Sequence, residues 1–285
     1  MEQGRGGCEK YIEVDGCRIC YIDEGQGRPL LFVHGIGGSM TNWAPTVEWF
    51  RKSYRVIALD LPCHARSSMV ETDGSLEFYA LAIRGLLTSI GIDRVSVVGN
   101  SLGGLITIHL ALNHPEMIEN MVLVDTAGAH RFPALLKRAF RMTPPGLLKK
   151  VLLFSISYLA RYRFFYRLAG IYELNEYTRV LLDEAVATAY RPDLDRYLES
   201  YMRTARTALN VSYHDRLGEI CKPTLIVWGQ KDLGIPLKVG QEVNRMIKGS
   251  YLVSIPRAAH VPQLDQPELF NRALSRFLVG ASAFD

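Results

Sequence analysis

The sequence predicts an α/β protein: a mostly parallel central sheet, helices on both faces, and an inserted helical cap. Three observations carry this expectation. Short runs that are apolar almost throughout, such as Pro29–Gly35 and Tyr54–Pro62, have the character of strands covered on both faces. Segments of helical character alternate with them, as in a parallel sheet with crossover helices. One gap, roughly His130 to Tyr213, carries no strand-like run, and its apolar residues fall at helical spacing in "LLDEAVATAY" and "LDRYLESYM".

The elements follow in order. "KYIEVDGCRICYIDEG" reads as an opening hairpin, with Asp15-Gly16 as its turn. The strands "PLLFVHG" and "YRVIALDLP" come next, then a helix over Leu76–Ile90. A strand begins at Val95, rich in β-branched residues, and runs through "GNSLGG" into an apolar helix closed by Asn113-His114-Pro115. "MVLVDTAG" is the next strand. After the gap come the strands "PTLIVWGQKD" and "SYLVSIPRAAH", separated by a helix near Val239–Lys248, and a final helix over Pro267–Leu278. This divides the chain into a core of residues 1–129 and 214–285 and an insertion of residues 130–213.

Composition narrows the function classes. The net charge of +4 is too mild to imply nucleic acid as a partner. No N-terminal apolar region resembles a signal peptide, and the run "VLLFSISYLA" is 10 residues long, against about twenty for a spanning helix. A cytoplasmic location is the expectation. Five scattered cysteines suit reduced thiols rather than a disulfide framework. Cys17 and Cys20 have CxxC spacing, but no second pair stands at ligand distance and they fall in a strand, so no metal is expected there. Between Arg131 and Gly170 there are nine Lys or Arg and no Asp or Glu. A solvated helical surface explains this; attraction of an anionic substrate or a lipid surface is the sharper alternative.

The chemistry gathers at the carboxyl ends of the strands, where an open parallel sheet assembles its ligands. Gly99-Asn100-Ser101-Leu102-Gly103 is a G-x-S-x-G turn between a strand and a helix, with Ser101 at its tip. "HGIGGSMTNW" supplies a glycine-rich turn after the strand that ends near His34. Asp232 lies just beyond the strand ending at Trp228-Gly229, and His260 just beyond the last strand. The order serine, acid, histidine runs along the chain. Asp60 and Asp125 also stand at strand ends and compete with Asp232, although loop capping is the ordinary role of such residues.

These segments, with "ALDLPCHARS" and "AAHVPQLDQPELFNRALSRFL", make the chain resemble α/β-hydrolase-fold proteins of the serine-nucleophile branch along essentially its full length. Two departures stand out. Cys63 and Ala65 occupy positions where the family's D-x-x-G-x-G-x-S segment has glycine, and Ala259 replaces a common glycine before the histidine. The resemblance implies that Ser101 is the nucleophile, His260 the base that later returns the proton, and Asp232 the carboxylate that orients the imidazole. It also implies an oxyanion hole from the backbone N–H groups of Ile36 and Leu102, with Gly37 a rival to Ile36. His34, Gly37, Asn100 and Val261 are expected to line the site. In some relatives an acid at the Asp125 position serves instead of Asp232. The resemblance implies no metal or organic cofactor.

The first functional expectation is cleavage of a small-molecule carboxylic ester with small to medium hydrophobic groups, through an acyl-enzyme. An alternative is carbon–carbon bond hydrolysis, because Asn100 before the serine resembles the meta-cleavage-product hydrolases of aromatic degradation. Those enzymes carry tryptophan directly after the histidine, where this chain has Val261. A third reading, from another class, is a small-molecule receptor of the same fold with slow turnover.

Overall fold

The computed structural model describes residues 8–131, 133–144, 146–147, 149–151, 166–167 and 170–280. Eight strands form one sheet: β1 (Lys10–Val14), β2 (Cys17–Glu24), β3 (Pro29–Val33), β4 (Arg55–Leu59), β5 (Val95–Asn100), β6 (Ile118–Val124), β7 (Thr224–Gly229) and β8 (Tyr251–Ile255). Their order across the sheet is β1-β2-β4-β3-β5-β6-β7-β8. The β1–β2 and β2–β4 pairs are antiparallel, and every later pair is parallel. Asp15 and Gly16 turn the opening hairpin with φ of 48° and 75°, the left-handed pair that such a tight turn requires.

Helices cover both faces. α1 (Ala44–Phe50), α2 (Leu76–Ser89) and α3 (Leu102–Asn113) lie within the first half. α4 (Ala134–Met142), α5 (Glu176–Ala189) and α6 (Leu194–Asn210) fall between β6 and β7, and α7 (Leu237–Met246), α8 (Pro262–Asp265) and α9 (Pro267–Leu278) follow β7. Alternation along the strands sorts the core into two layers. Leu31, Val33, Val97 and Trp228 face the layer that receives α2, α3 and α7. Leu30, Phe32, Val98 and Val227 face the layer that receives α1 and α9, where the Trp43 ring packs 5.1 Å from Phe32 and 6.1 Å from Phe270. α3 is apolar on all sides and is buried from Leu102 to Ala111, as a helix pressed between sheet and neighbours must be.

The structure departs from the sequence expectations at boundaries and in one element. β6 begins at Ile118, three residues before the apolar run, because Ile118 pairs with Val95. α1 was not expected: no side-chain cap marks its start, which follows a single 3-10 turn over Met40–Trp43. The apolar run at 152–160 and the basic residues Arg161 and Arg163 lie outside the described residues. Of the other basic residues there, Arg131 pairs with Asp215, and Lys149 lies 2.8 Å from Asp195. No described helix is long and apolar enough to cross a membrane.

Candidate active site

The turn from β5 into α3 is possible only with its glycines. A Cβ on Gly99 would come within 2.3 Å of the Gly103 carbonyl oxygen, and one on Gly103 within 2.2 Å of the Val33 carbonyl oxygen. Ser101 between them is held at φ 54°, ψ −111°, a strained conformation for a side-chain-bearing residue. The surroundings over-determine it. Its N–H donates to Val124 O at 2.9 Å, and its carbonyl accepts the N–H groups of Leu105 and Ala127, each at 3.1 Å. Leu102 follows as the first residue of α3, where backbone N–H groups have no partner inside the helix.

Asp232 and His260 are brought together from the loops after β7 and β8. Asp232 Oδ2 lies 2.6 Å from His260 Nδ1, while Oδ1 accepts the N–H groups of Gly234 at 2.8 Å and Ile235 at 3.0 Å. Burial by itself would raise the Asp232 carboxyl. The His260 hydrogen bond and charge, the Ile235 N–H and Asp125 outweigh it and hold the group below the usual carboxylate range. With Nδ1 committed to Asp232, the other ring nitrogen of His260 is left to exchange protons.

The loops carrying Ser101 and His260 are tied by Asn100. Its Nδ2 donates to His260 O at 3.0 Å and to Val124 O at 3.1 Å, joining the ends of β5 and β6 to the histidine loop. Val261 is buried against Ile171, Leu182 and Leu264.

The glycine-rich loop after β3 borders the same place: a Cβ on Gly35 would lie 3.1 Å from Ser101 Cβ. Ile36 follows, half-buried. Gly37 has φ +72°, a conformation that favours glycine, and sits beneath Tyr201 and Tyr197 of α6, where an added Cβ would meet Tyr201 Cε2 at a tight 3.3 Å. Fully buried His34 braces the loop. Its Nδ1–H donates to Gly35 O at 2.7 Å, and Nε2 accepts Leu61 N–H at 2.9 Å. Burial lowers its pKa to about 4, so the ring is neutral. Asp60 is a loop brace: it accepts Met40 N–H at 2.7 Å and the Arg66 Nε–H at 2.8 Å. His64 is buried against Tyr79 and His34.

Two contributors, Glu184 and Asp265, have no motif in the sequence, and a third, Asp125, stands there only as a rival to Asp232. Glu184 of α5 accepts hydrogen bonds from the hydroxyls of Ser39 and Thr41, each at 2.7 Å, linking the insertion to the glycine-rich loop. Asp265 accepts Ala259 N–H at 2.7 Å and Tyr172 N–H at 3.0 Å. Asp125, at the end of β6, is completely buried beside Asp232, and the nearest ligand atoms of Asp125, Asp232 and His260 all fall within 4.8 Å of one another. An acid in a helix reads as a capping or solvated group, so nothing local distinguishes Glu184 or Asp265; the strand-end position marks Asp125 but not its burial against Asp232.

A family described as alpha/beta hydrolase fold matches residues 28–267. A 2-hydroxy-6-oxononadienedioate/2-hydroxy-6-oxononatrienedioate hydrolase of Paraburkholderia phymatum is 30% identical, over 94% of this chain and 95% of that relative. The structure of a meta-cleavage product hydrolase from Pseudomonas fluorescens is 26% identical with a TM-score of 0.75, covering 95% of this chain and 98% of that one. An N-acyl homoserine lactone degrading enzyme is 25% identical with a TM-score of 0.74, over 94% of this chain and 100% of that one. With the mostly parallel sheet and the strand–serine–helix turn, these likenesses decide the matter of family: the chain is a hydrolase and belongs to the alpha/beta hydrolase fold family.

Proposed function

We propose that the protein hydrolyses a carbon–carbon bond in vinylogous keto acids of the 2-hydroxy-6-oxo-dienoate type, using Ser101, His260 and Asp232. The observation that carries this reading is the likeness, at 30% identity along nearly the whole chain, to hydrolases named for such substrates. It supports the carbon–carbon alternative over the ester reading that the sequence put first. Asn100 before the serine agrees with it. So does the excess of basic residues between Arg131 and Gly170, since these substrates are anionic.

In this reaction the bond between the 6-oxo carbon and its neighbour breaks. The 2-hydroxyl proton first moves to the carbon next to the 6-oxo group, giving the 2-oxo tautomer. Water then supplies the oxygen of the new carboxylate, and the electron pair of the broken bond passes through the remaining double bond to the 2-oxygen, which takes up a proton. This delocalisation makes the carbon a tolerable leaving group. His260, oriented by Asp232 at 2.6 Å, moves the protons. Ser101 is the nucleophile toward the 6-oxo carbon, and the N–H groups of Leu102 and Ile36 receive the developing oxyanion. One such donor contributes about 3 kcal/mol.

Ester cleavage is the second reading, favoured by Val261 where the carbon–carbon hydrolases carry tryptophan. The same serine, base and donors serve an ester, whose alkoxide leaves more readily. The test is a panel of p-nitrophenyl acetate through palmitate beside a vinylogous dienone acid, with parent and Ser101→Ala. The proposal expects the highest kcat/KM on the dienone acid, folded but inactive Ser101→Ala with a loss on the order of 10^4–10^6-fold, and fluorophosphonate labelling of the parent alone. A higher kcat/KM on an ester would overturn it, as would stoichiometric labelling with no turnover, the mark of a receptor.

A further inference from the structure

Asp125 and Asp232 close the ends of neighbouring parallel strands. β6 and β7 are in register at Val124 and Val227, and Asp125 N–H continues the ladder by donating to Val227 O at 3.1 Å. Asp125 then turns out of the sheet at φ 40°, a left-handed conformation on a non-glycine residue, which is costly unless the site requires it. Its two carboxyl oxygens lie 3.1 and 3.2 Å from one donor, Gly229 N–H. The residue is completely inaccessible to solvent. One backbone N–H is meagre replacement for the water that an ionised carboxylate gives up on burial. The carboxylates facing it make ionisation harder: Asp232 from the loop after β7 and, more weakly, Asp265 from α8; His260, bonded to Asp232, has a ring nitrogen within 4.8 Å of both acids.

We infer that Asp125 is a positioning residue that keeps its proton at neutral pH and donates it in a hydrogen bond to the Asp232 carboxylate. The pair then carries one negative charge, which matches the one positive charge that His260 acquires. The arrangement accounts for every polar atom. The Asp125 carbonyl oxygen accepts Gly229 N–H, its hydroxyl donates to Asp232, and Asp232 receives in addition His260, Gly234 and Ile235. Burial and the Asp232 charge raise the Asp125 pKa well above its usual value, while Asp232 moves the other way. Two adjacent acids pushed apart in this manner take separate roles. The inference rests on the proposed reading of Asp232 and His260 as the acid–base pair.

The experiment compares Asp125→Ala and Asp125→Asn with the parent, on the best substrate from the panel above. Asp125→Ala removes the donor, and kcat should fall about tenfold, as one lost hydrogen bond predicts. Asp125→Asn supplies a neutral C=O and N–H in the same places. It should recover most of that loss and leave the acidic limb of the pH profile where the parent has it. If Asp125 were ionised, Asn would delete a negative charge near His260, and the limb would move to lower pH. That shift, or equal losses in Asn and Ala, overturns the inference. Infrared difference spectra of resting parent and Asp125→Asn give a readout without turnover. A carboxylic-acid C=O band at pH 7 that shifts in D2O and is missing from the variant is expected, and its absence from the parent refutes the proton. Failure of the functional reading shows separately, as activity in Ser101→Ala.

Discussion

Asp265 makes the stability of the histidine loop depend on pH. Its carboxyl is buried between two segments distant in the chain, accepting Ala259 N–H at 2.7 Å on one side and Tyr172 N–H at 3.0 and 3.2 Å on the other. Burial raises its pKa to about 6, against the pull of those N–H groups, from an ordinary 3.8. The folded protein therefore holds this proton more tightly than the unfolded chain. The resulting stabilisation is complete below about pH 4, declines as pH rises from 4 to 6, and is absent above. A gap of about two pH units corresponds to about 3 kcal/mol. Asp265→Asn cannot titrate and lacks this slope, whatever constant offset its altered hydrogen bonds introduce. Urea unfolding of both proteins from pH 4 to 7.5 isolates the effect. The parent's advantage over Asp265→Asn should fall by about 2.5 kcal/mol between pH 4 and 7. Parallel stability curves would refute the reasoning, because they would mean that the carboxyl titrates alike in both states.

Two further outcomes follow from the loop after β4 and from the insertion. Ala65 is exposed and held at φ 42°, so Ala65→Gly should relieve a cost of about 1–2 kcal/mol while adding about 0.5–1 kcal/mol of backbone entropy to the unfolded chain. A net gain of about 0.5–1 kcal/mol is expected in chemical denaturation. If the basic residues of the insertion steer anionic substrates, kcat/KM toward the dienone acid should fall with salt as the Debye length shrinks from about 10 Å at 0.1 M to 3 Å at 1 M. Neutral p-nitrophenyl butyrate should hardly respond, and reversing the charges of Lys137, Arg138 and Arg141 should mimic high salt. Equal salt responses, with no liposome co-sedimentation, would return these residues to a solvated surface.

The strand–turn–helix around Ser101 was legible from residue order because every cause in it is local. β-branched residues make the strand, two glycines permit a turn that a Cβ would block, and an apolar run makes the helix. The same holds for Asp15-Gly16 and for the placing of Asp232 and His260 just beyond strand ends. The departures at Cys63 and Ala65 were legible as departures only. The structure adds that both residues still adopt the left-handed backbone, at φ 63° and 42°, that glycine serves at no steric cost.

Tertiary structure alone decided which acids act together. Glu184 reaches Ser39 across 145 residues of chain, and Asp265 joins the histidine loop to Tyr172 across 93. Asp125 differs from a loop cap only by facing Asp232 where water is excluded. Periodicity and turn chemistry report on neighbours a few residues apart. The charge state of a carboxyl depends on burial and on the groups that folding brings against it, and no local pattern encodes either.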